Sequence, residues 1–180
     1  MNTDFGDRSG TSTDSDRPIP ERLVVSRSSA EETALLRQAV LRPQFTVAQM
    51  ALVGDQHPET TYLEIRAPAA DAQVLGCLRL EPVACPWPDA LGTPSRNSWQ
   101  LRAMATDPAR RGTGLGRMLV EAAVEHVAGR GGDLIWCNAR IGAEGFYSRL
   151  GFQTVTDPFD VQETPEAHVG MVLDVPGGAS

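Results

Sequence analysis

The sequence contains no lysine, so all 16 of its basic residues are arginines. Schiff-base enzymes and P-loop nucleotide-binding proteins depend on a lysine, and both classes are therefore excluded. Cysteine is scarce as well: Cys77, Cys85 and Cys137 are far apart and form no C-x-x-C pair, so we expect neither a disulfide framework nor a metal site. No stretch approaches the roughly 20 uninterrupted apolar residues that span a bilayer, so no membrane association is expected.

Size and charge favour one acidic domain, since the chain has 180 residues and a formal net charge of −7. A phosphate backbone repels an acidic chain, and we expect no binding to nucleic acid. Residues 1–20 have neither the basic start nor the apolar core of a secretion signal, which predicts a cytoplasmic protein. We expect a disordered tail over residues 1–20, one domain over 21–176 and a second disordered tail over 177–180.

Apolar periodicity predicts strands and helices in mixed order. Strands are expected near residues 23–26, 60–66, 73–80, 99–106, 134–137, 152–156 and 168–175, and helices after Ser29, near 47–53, from Gly114 and over 143–150. Leu35, Leu36, Ala39 and Val40 are the expected buried face of the first helix. The proline-rich segment 82–97 is predicted to be a surface loop that could face a substrate. The pattern contains only one clear unit of strand, crossover helix and strand. A Rossmann or flavodoxin-like fold needs several such units and is therefore disfavoured.

A glycine-rich loop, Arg110–Gly116, joins the strand 99–106 to the following helix and has the sequence R-R-G-T-G-L-G. Glycines allow backbone N–H groups to approach a phosphate, and the first turn of a helix favours negative charge. The dinucleotide fingerprint G-x-G-x-x-G is absent, because Arg117 and Leu119 stand where it requires its last glycine. Two interpretations remain: a phosphate-binding loop of another type, or glycines that serve only a tight turn.

Two blocks of sequence together suggest a family. Met104–Gly116, M-A-T-D-P-A-R-R-G-T-G-L-G, resembles the acyl-CoA-binding motif of the GCN5-related N-acetyltransferases (GNAT), and Gly145–Phe152, G-F-Y-S-R-L-G-F, is similar to their F-Y-x-x-x-G-F segment. The likeness covers about residues 98–156. It implies an α+β fold with a twisted mixed sheet, mostly antiparallel, that is splayed at a central pair of parallel strands and flanked by helices.

The resemblance also implies acetyl-CoA as a co-substrate, inserted between the two parallel strands. Backbone groups of Met104, Ala105 and Thr106 would then pair with its pantetheine arm. The backbone of Arg111, Gly112, Thr113, Gly114, Leu115 and Gly116 would hold the pyrophosphate, and Asn138 would lie at the pantetheine or thioester end.

Tyr147 matches the family tyrosine that donates a proton or hydrogen bond to the coenzyme sulfur, although an aromatic that only packs on the sheet is the alternative. Many relatives carry a glutamate base on the strand before the glycine loop, where this chain has Gln100, Leu101 and Arg102. Glu81 and His168 are therefore the candidate bases, and histidine is the side chain best suited to proton exchange near neutrality. A chain of water molecules to bulk solvent is the remaining alternative.

These features predict an acetyl-CoA-dependent N-acetyltransferase that moves an acetyl group to a primary amine by direct attack in a ternary complex. A catalytically silent acyl-CoA-binding sensor or interaction module is the alternative. The acceptor is expected to be a small-molecule or peptide amine, and the net charge of −7 favours a cationic one. The sequence leaves a homodimer open.

Overall fold

The computed structural model describes residues 23–68, 72–91, 97–162 and 164–176. The tails expected over residues 1–20 and 177–180 lie outside the described residues, as does the middle of the predicted loop, residues 92–96. The domain boundaries at these ends therefore stay predictions.

Seven strands of the described residues form one sheet in the order β1-β2-β3-β4-β5-β7-β6. The strands are β1 Val25–Ser28, β2 Thr61–Arg66, β3 Val74–Glu81, β4 Ser98–Thr106, β5 Leu134–Arg140, β6 Gln153–Thr154 and β7 His168–Asp174. The helices are α1 Ala30–Leu41, α2 Leu115–Ala128 and α3 Glu144–Ser148, with 3₁₀ turns at Val47–Met50, Pro88–Leu91, Pro108–Arg110 and Ile141–Ala143. All neighbouring strands are antiparallel except β4 and β5, which confirms the predicted mixed sheet.

The sheet is splayed between the two parallel strands, as predicted. β4 and β5 pair only where Ser98, Trp99 and Gln100 face Leu134, Ile135 and Trp136. Beyond that point β4 carries a bulge against β3, and Ala103 adopts a φ of 50°. A non-glycine residue at positive φ is uncommon and strained. The bulge therefore coincides with the place where β4 separates from β5 and a gap opens between them.

The helices cover opposite faces of the sheet. The apolar face of α2 predicted from its spacing is present: Leu115, Leu119 and Ala123 are buried with Leu78 of β3 in the main core. α1 packs on the other face, where Leu36 contacts a smaller cluster that includes Cys77 and Ala105. Within the described residues, no helix is long and apolar enough to cross a membrane.

The expected buried face of α1 is partly wrong: Leu36 and Val40 pack as predicted, but Leu35 and Ala39 do not. Leu35 is 69% exposed, whereas Arg37 is 1% exposed. Arg37 is accommodated because its guanidinium donates hydrogen bonds to the Thr33 hydroxyl and to the carbonyls of Ala30 and Met50. The start of α1 agrees with the prediction, since Ser29 forms a capping box with Glu32.

Other element boundaries differ from the expectation by a few residues. The first strand begins at Val25 rather than residue 23, because its register pairs Val25 with Ile65 of β2. β5 continues to Arg140, since Arg140 still pairs with His168 of β7. The helix expected over 47–53 is only a 3₁₀ turn, and the helix expected over 143–150 is a 3₁₀ turn followed by the five residues of α3.

Candidate active site

The glycine-rich loop ends at the N-terminus of α2 with two backbone conformations that favour glycine. Gly112 has a φ of 77° and Gly114, the N-cap of α2, a φ of 92°. A Cβ atom at either position would meet no other atom within 4 Å, so both glycines border open space. The first N–H groups of α2, from Leu115 onward, have no partner within the helix. The loop therefore presents free backbone donors and the positive end of a helix to one side.

These donors border a cavity of about 640 Å³, which we call the loop cavity. Eight of the ten residues predicted to bind the coenzyme line it: Met104, Ala105, Thr106, Arg111, Gly112, Gly114, Leu115 and Gly116. Arg110, Arg117 and Arg149 line it too, which makes four arginines and no acidic residue among the described lining residues. This charge suits a polyphosphate ligand.

Two predicted coenzyme residues are placed differently. The backbone N–H of Thr113, predicted to hold the pyrophosphate, donates to the Arg110 carbonyl at 3.3 Å, and the hydroxyl donates to the same carbonyl at 2.7 Å, which closes the turn of the loop. Asn138 is exposed on β5 and lines a second cavity instead of the loop cavity.

Gly116 has a packing role that its place in the motif does not reveal. A Cβ atom there would lie 2.8 Å from the Cζ atom of Phe146 and 3.2 Å from the Cε atom of Met104. The missing side chain lets α2 approach α3 closely, and this contact forms one wall of the loop cavity.

The second cavity, about 240 Å³, lies in the splay between β4 and β5, and we call it the strand cavity. Elements on three sides contribute to it: α1, the ends of β4 and β5, and the start of β7. Met104, Ala143 and Tyr147 line both cavities. The two cavities therefore adjoin at these three residues, Tyr147 among them.

Tyr147 combines a packed ring with a hydroxyl at this junction. The side chain is 8% exposed, and its ring makes edge contacts with Phe146 and Phe152 at centroid distances of 5.1 and 5.2 Å. Its hydroxyl donates to the Sδ atom of Met104 at 3.5 Å, and a thioether is a weak acceptor. Burial raises the pKa of Tyr147, so the hydroxyl stays protonated and acts as a donor near neutral pH.

The two candidate bases are placed very differently. His168 lines the strand cavity and is 6% exposed, and its Nδ1 atom is buried without a hydrogen-bond partner in the part of the chain that the structure describes. Glu81 lines neither cavity and instead forms ion pairs with the buried Arg79 and, at 3.4 Å, with Arg102. The structure therefore brings His168 to the site and leaves Glu81 outside it.

Comparison with known proteins agrees with this architecture. The sequence model of the "Acetyltransferase (GNAT) domain" family matches residues 65–154, half of the chain. The chain belongs to the GNAT family. The uncharacterized N-acetyltransferase YitI of Bacillus subtilis is 27% identical over 139 residues, which cover 77% of this chain and 88% of that protein.

Solved structures of GNAT proteins have the same fold. A candidate N-acetyltransferase of Lactobacillus plantarum is 25% identical and superposes with a TM-score of 0.64, over 86% of this chain and 97% of that one. YhbS, a GNAT protein of Escherichia coli solved in complex with CoA, is 20% identical with a TM-score of 0.60, over 86% of this chain and 82% of that one. This chain is accordingly a GNAT acyltransferase, and the family resemblance of its two motifs is confirmed.

The predicted loop 82–97 of this GNAT protein does not contribute a described residue to either cavity. Trp87 packs on Trp136 of β5 at a centroid distance of 5.4 Å, and the Val83 carbonyl accepts a hydrogen bond from the Trp136 indole at 2.8 Å. Residues 82–91 therefore lie against β5 and β7, and a role in facing substrate stays a prediction for the undescribed residues 92–96 alone.

Sequence reasoning missed the arginines of the strand cavity. Arg37, Arg42, Arg102 and Arg140 all line it, on α1, just after α1, on β4 and on β5. An arginine at a core position of a helix, as at Arg37, was the one available signal. The others are far apart in sequence and come together only because the sheet is splayed.

Proposed function

We propose that this GNAT acyltransferase moves the acetyl group of acetyl-CoA to a primary amine of a small molecule or peptide by direct attack in a ternary complex. The observation that carries the proposal is the meeting of two cavities at Tyr147. One is lined by four arginines and the N-terminus of α2, which suits a phosphate-bearing ligand, and the other adjoins it at the same tyrosine. Two bound reactants would be held in attack geometry there, which supplies much of the acceleration of such reactions.

The loop cavity supports acetyl-CoA as the donor. Free N–H groups at the start of α2 and the guanidinium of Arg111 suit the pyrophosphate. The edge of β4 beyond Gln100 has no strand partner on the β5 side among the described residues. Its backbone at Met104–Thr106 is available to pair with the amides of the pantetheine arm, as an added strand would be. An aminoglycoside 6'-N-acetyltransferase and YhbS, two structural neighbours, were both solved with CoA.

Direct transfer is favoured over an acyl-enzyme because the chain offers a poor nucleophile at this place. Cys137 lines the strand cavity but is 2% exposed, and burial raises the pKa of its thiol to about 12. Very little reactive thiolate exists near neutral pH under these conditions. The acceptor amine is therefore the attacking group.

Two side chains serve the proton transfers of the reaction, one as acceptor and one as donor. The free Nδ1 atom of His168 accepts a proton from the attacking amine, directly or through a water molecule. The hydroxyl of Tyr147 donates a hydrogen bond to the departing thiolate of the coenzyme. Both groups line the strand cavity, and Tyr147 also lines the loop cavity.

The proposal is tested by incubating the protein with acetyl-CoA and a panel of primary amines. Free thiol is followed over time, and the acetylated amine is identified by mass spectrometry. We expect amine-dependent thiol release with one acetyl group added per thiol. A silent acyl-CoA-binding module would bind CoA without any amine-dependent release, and that result would contradict the proposal.

A further inference from the structure

The strand cavity is strongly cationic although the chain as a whole is acidic. Four arginines line it, Arg37, Arg42, Arg102 and Arg140, and none of its described lining residues is Asp or Glu. Guanidinium groups that line one cavity of about 240 Å³ repel one another. A negatively charged group is therefore needed to stabilise this arrangement.

The nearest buried carboxylates are already engaged. Asp55 lies 3.0 Å from the Nε atom of the fully buried Arg79, and Glu81 pairs with the same guanidinium. Glu81 also lies 3.4 Å from Arg102. Both carboxylates lie closest to the buried Arg79, and Arg102 only shares one of them.

Arg37 adds a charge that has no ion-pair partner in the ranges that the structure describes. Its guanidinium donates to the Thr33 hydroxyl at 3.1 Å and to the carbonyls of Met50 and Ala30 at 2.8 and 2.7 Å. All three acceptors are neutral. The group is satisfied in hydrogen bonds, but its positive charge is not cancelled and acts on the cavity through a medium of low dielectric constant.

Arg140 adds a second charge with only weak compensation. Its Nε atom lies 3.8 Å from Glu166, whose side chain is 52% exposed, and a pair so long and so open to solvent contributes little. Its Nη2 atom is anchored on the Leu41 carbonyl at 3.0 Å, which fixes the guanidinium at the edge of the cavity. Arg140 and His168 are register partners on β5 and β7. His168 is therefore the cross-strand neighbour of a fixed cation.

We propose that the acceptor of this transferase is a small amine that also carries an acidic group, a carboxylate or a phosphate, held by Arg102 and Arg140. This inference rests on the proposed function and names the class of its acceptor. The cavity is smaller than the roughly 300–1,000 Å³ of typical sites for drug-sized ligands, which suits a molecule of amino-acid size. The charge of the cavity thus favours an acidic acceptor, whereas the net charge of −7 favours a cationic one.

The positive surroundings also assist the chemistry. An ammonium group near several guanidinium groups loses its proton more readily, because like charges disfavour its charged form. The acidic group of the same molecule supplies the attraction that brings the amine into this environment. Binding and deprotonation are therefore served by different ends of one acceptor.

Pairs of amines with and without an acidic group test the inference, and kcat/KM is expressed per concentration of unprotonated amine because the acidic group also shifts the pKa of the amine. L-alanine is compared with L-alaninamide, β-alanine with β-alaninamide and phosphoethanolamine with ethanolamine, and spermidine is the cationic probe. We expect the acidic member of at least one pair to have a kcat/KM roughly 10-fold or more above its neutral partner, the value of one charge-assisted hydrogen bond. The carboxylate and phosphate pairs then distinguish the two sources of the acidic group.

Charge-removing variants locate the effect. Arg140→Gln and Arg102→Gln are each expected to reduce the preference for the acidic member toward unity. Arg27→Gln, which removes an exposed arginine of β1 that lines neither cavity, is the matched control and keeps the preference. Thermal melting checks that each variant is folded, and two arginines on different strands keep the test usable if one variant is not.

The outcomes separate the inference from the proposed function. Faster acetylation of neutral amines or spermidine, or a preference that survives in both folded variants, overturns the inference and leaves the transferase activity standing. Absence of thiol release with every amine overturns the proposed function and the inference with it.

Discussion

Replacement of Tyr147 by phenylalanine removes one hydroxyl from the junction of the two cavities. The ring contacts with Phe146 and Phe152 are kept, and the lost hydrogen bond goes only to the weak acceptor Sδ of Met104. The free energy of unfolding should therefore change by less than about 1 kcal/mol. Affinity for CoA should be nearly unchanged, because the loop and the edge of β4 supply the coenzyme contacts.

The effect on kcat follows from the charge on the departing sulfur. A hydrogen bond to a charged group contributes about 1.5–3 kcal/mol, which corresponds to roughly 10- to 150-fold in rate. We expect kcat of Tyr147→Phe to fall within this range at saturating acetyl-CoA and amine. Thiol release with the best acceptor of the panel gives kcat, and calorimetric titration of CoA gives the affinity.

Tyr62→Phe is the matched control, since Tyr62 is the other of the two tyrosines of the chain. Its hydroxyl donates to Asp55 at 2.7 Å, and its ring lines neither cavity. This variant should lose about 1.5–3 kcal/mol of stability, because the lost hydrogen bond goes to a carboxylate, and should keep kcat within about twofold. Full kcat in Tyr147→Phe, under conditions where chemistry limits the rate, would refute the reasoning and leave Tyr147 as a packing residue.

Three further predictions concern the rest of the chain. Deletion of residues 1–20 should leave the melting temperature and CoA affinity unchanged, because the segment offers no apolar face to bury, and a clear drop in either would show that it docks. Gly116→Val should cost about 1–3 kcal/mol in urea unfolding, since its Cβ atom meets the Phe146 ring at 2.8 Å; a variant as stable as wild type would contradict this packing. Burial lowers the pKa of His126 to about 4, so the unfolded chain takes up a proton first as the pH falls from 6.5 and stability declines. His126→Phe should reduce that decline between pH 7 and pH 5 by about 1 kcal/mol in urea unfolding, because the half-buried position limits the effect. An equal decline in both proteins would exclude this role of His126.

The parts of the site that sequence could predict are those whose residues are contiguous. Arg111, Gly114 and Gly116 lie within six positions, and their spacing specifies both a backbone conformation and a helix start. The same applies to Ser29 and Glu32, whose capping box fixes the beginning of α1. Local geometry determines such features, and local sequence is therefore sufficient to find them.

The strand cavity could not be predicted in this way. Arg37 and Arg140 are about a hundred positions apart and meet in one cavity because β4 leaves β5 after Gln100. Ala103 carries no sequence signal for its positive φ, which depends on the register of β4 against β3. Sequence could not show that Glu81 lies outside the site for the same reason. Its ion pair with Arg79 depends on the burial of both faces of β3, which the sequence does not reveal.

Calorimetric titration of CoA into Gly114→Val tests whether the glycine-rich loop holds the coenzyme. Gly131→Val is a close control, because Gly131 also has a positive φ, 69° against 92° for Gly114, and a Cβ atom would meet nothing within 4 Å at either position. Both variants carry similar backbone strain, but only Gly114 lines the loop cavity. We expect wild-type affinity in Gly131→Val and a loss of at least about 10-fold, near 1.4 kcal/mol, in Gly114→Val. Equal affinity for CoA in the two folded variants would contradict it.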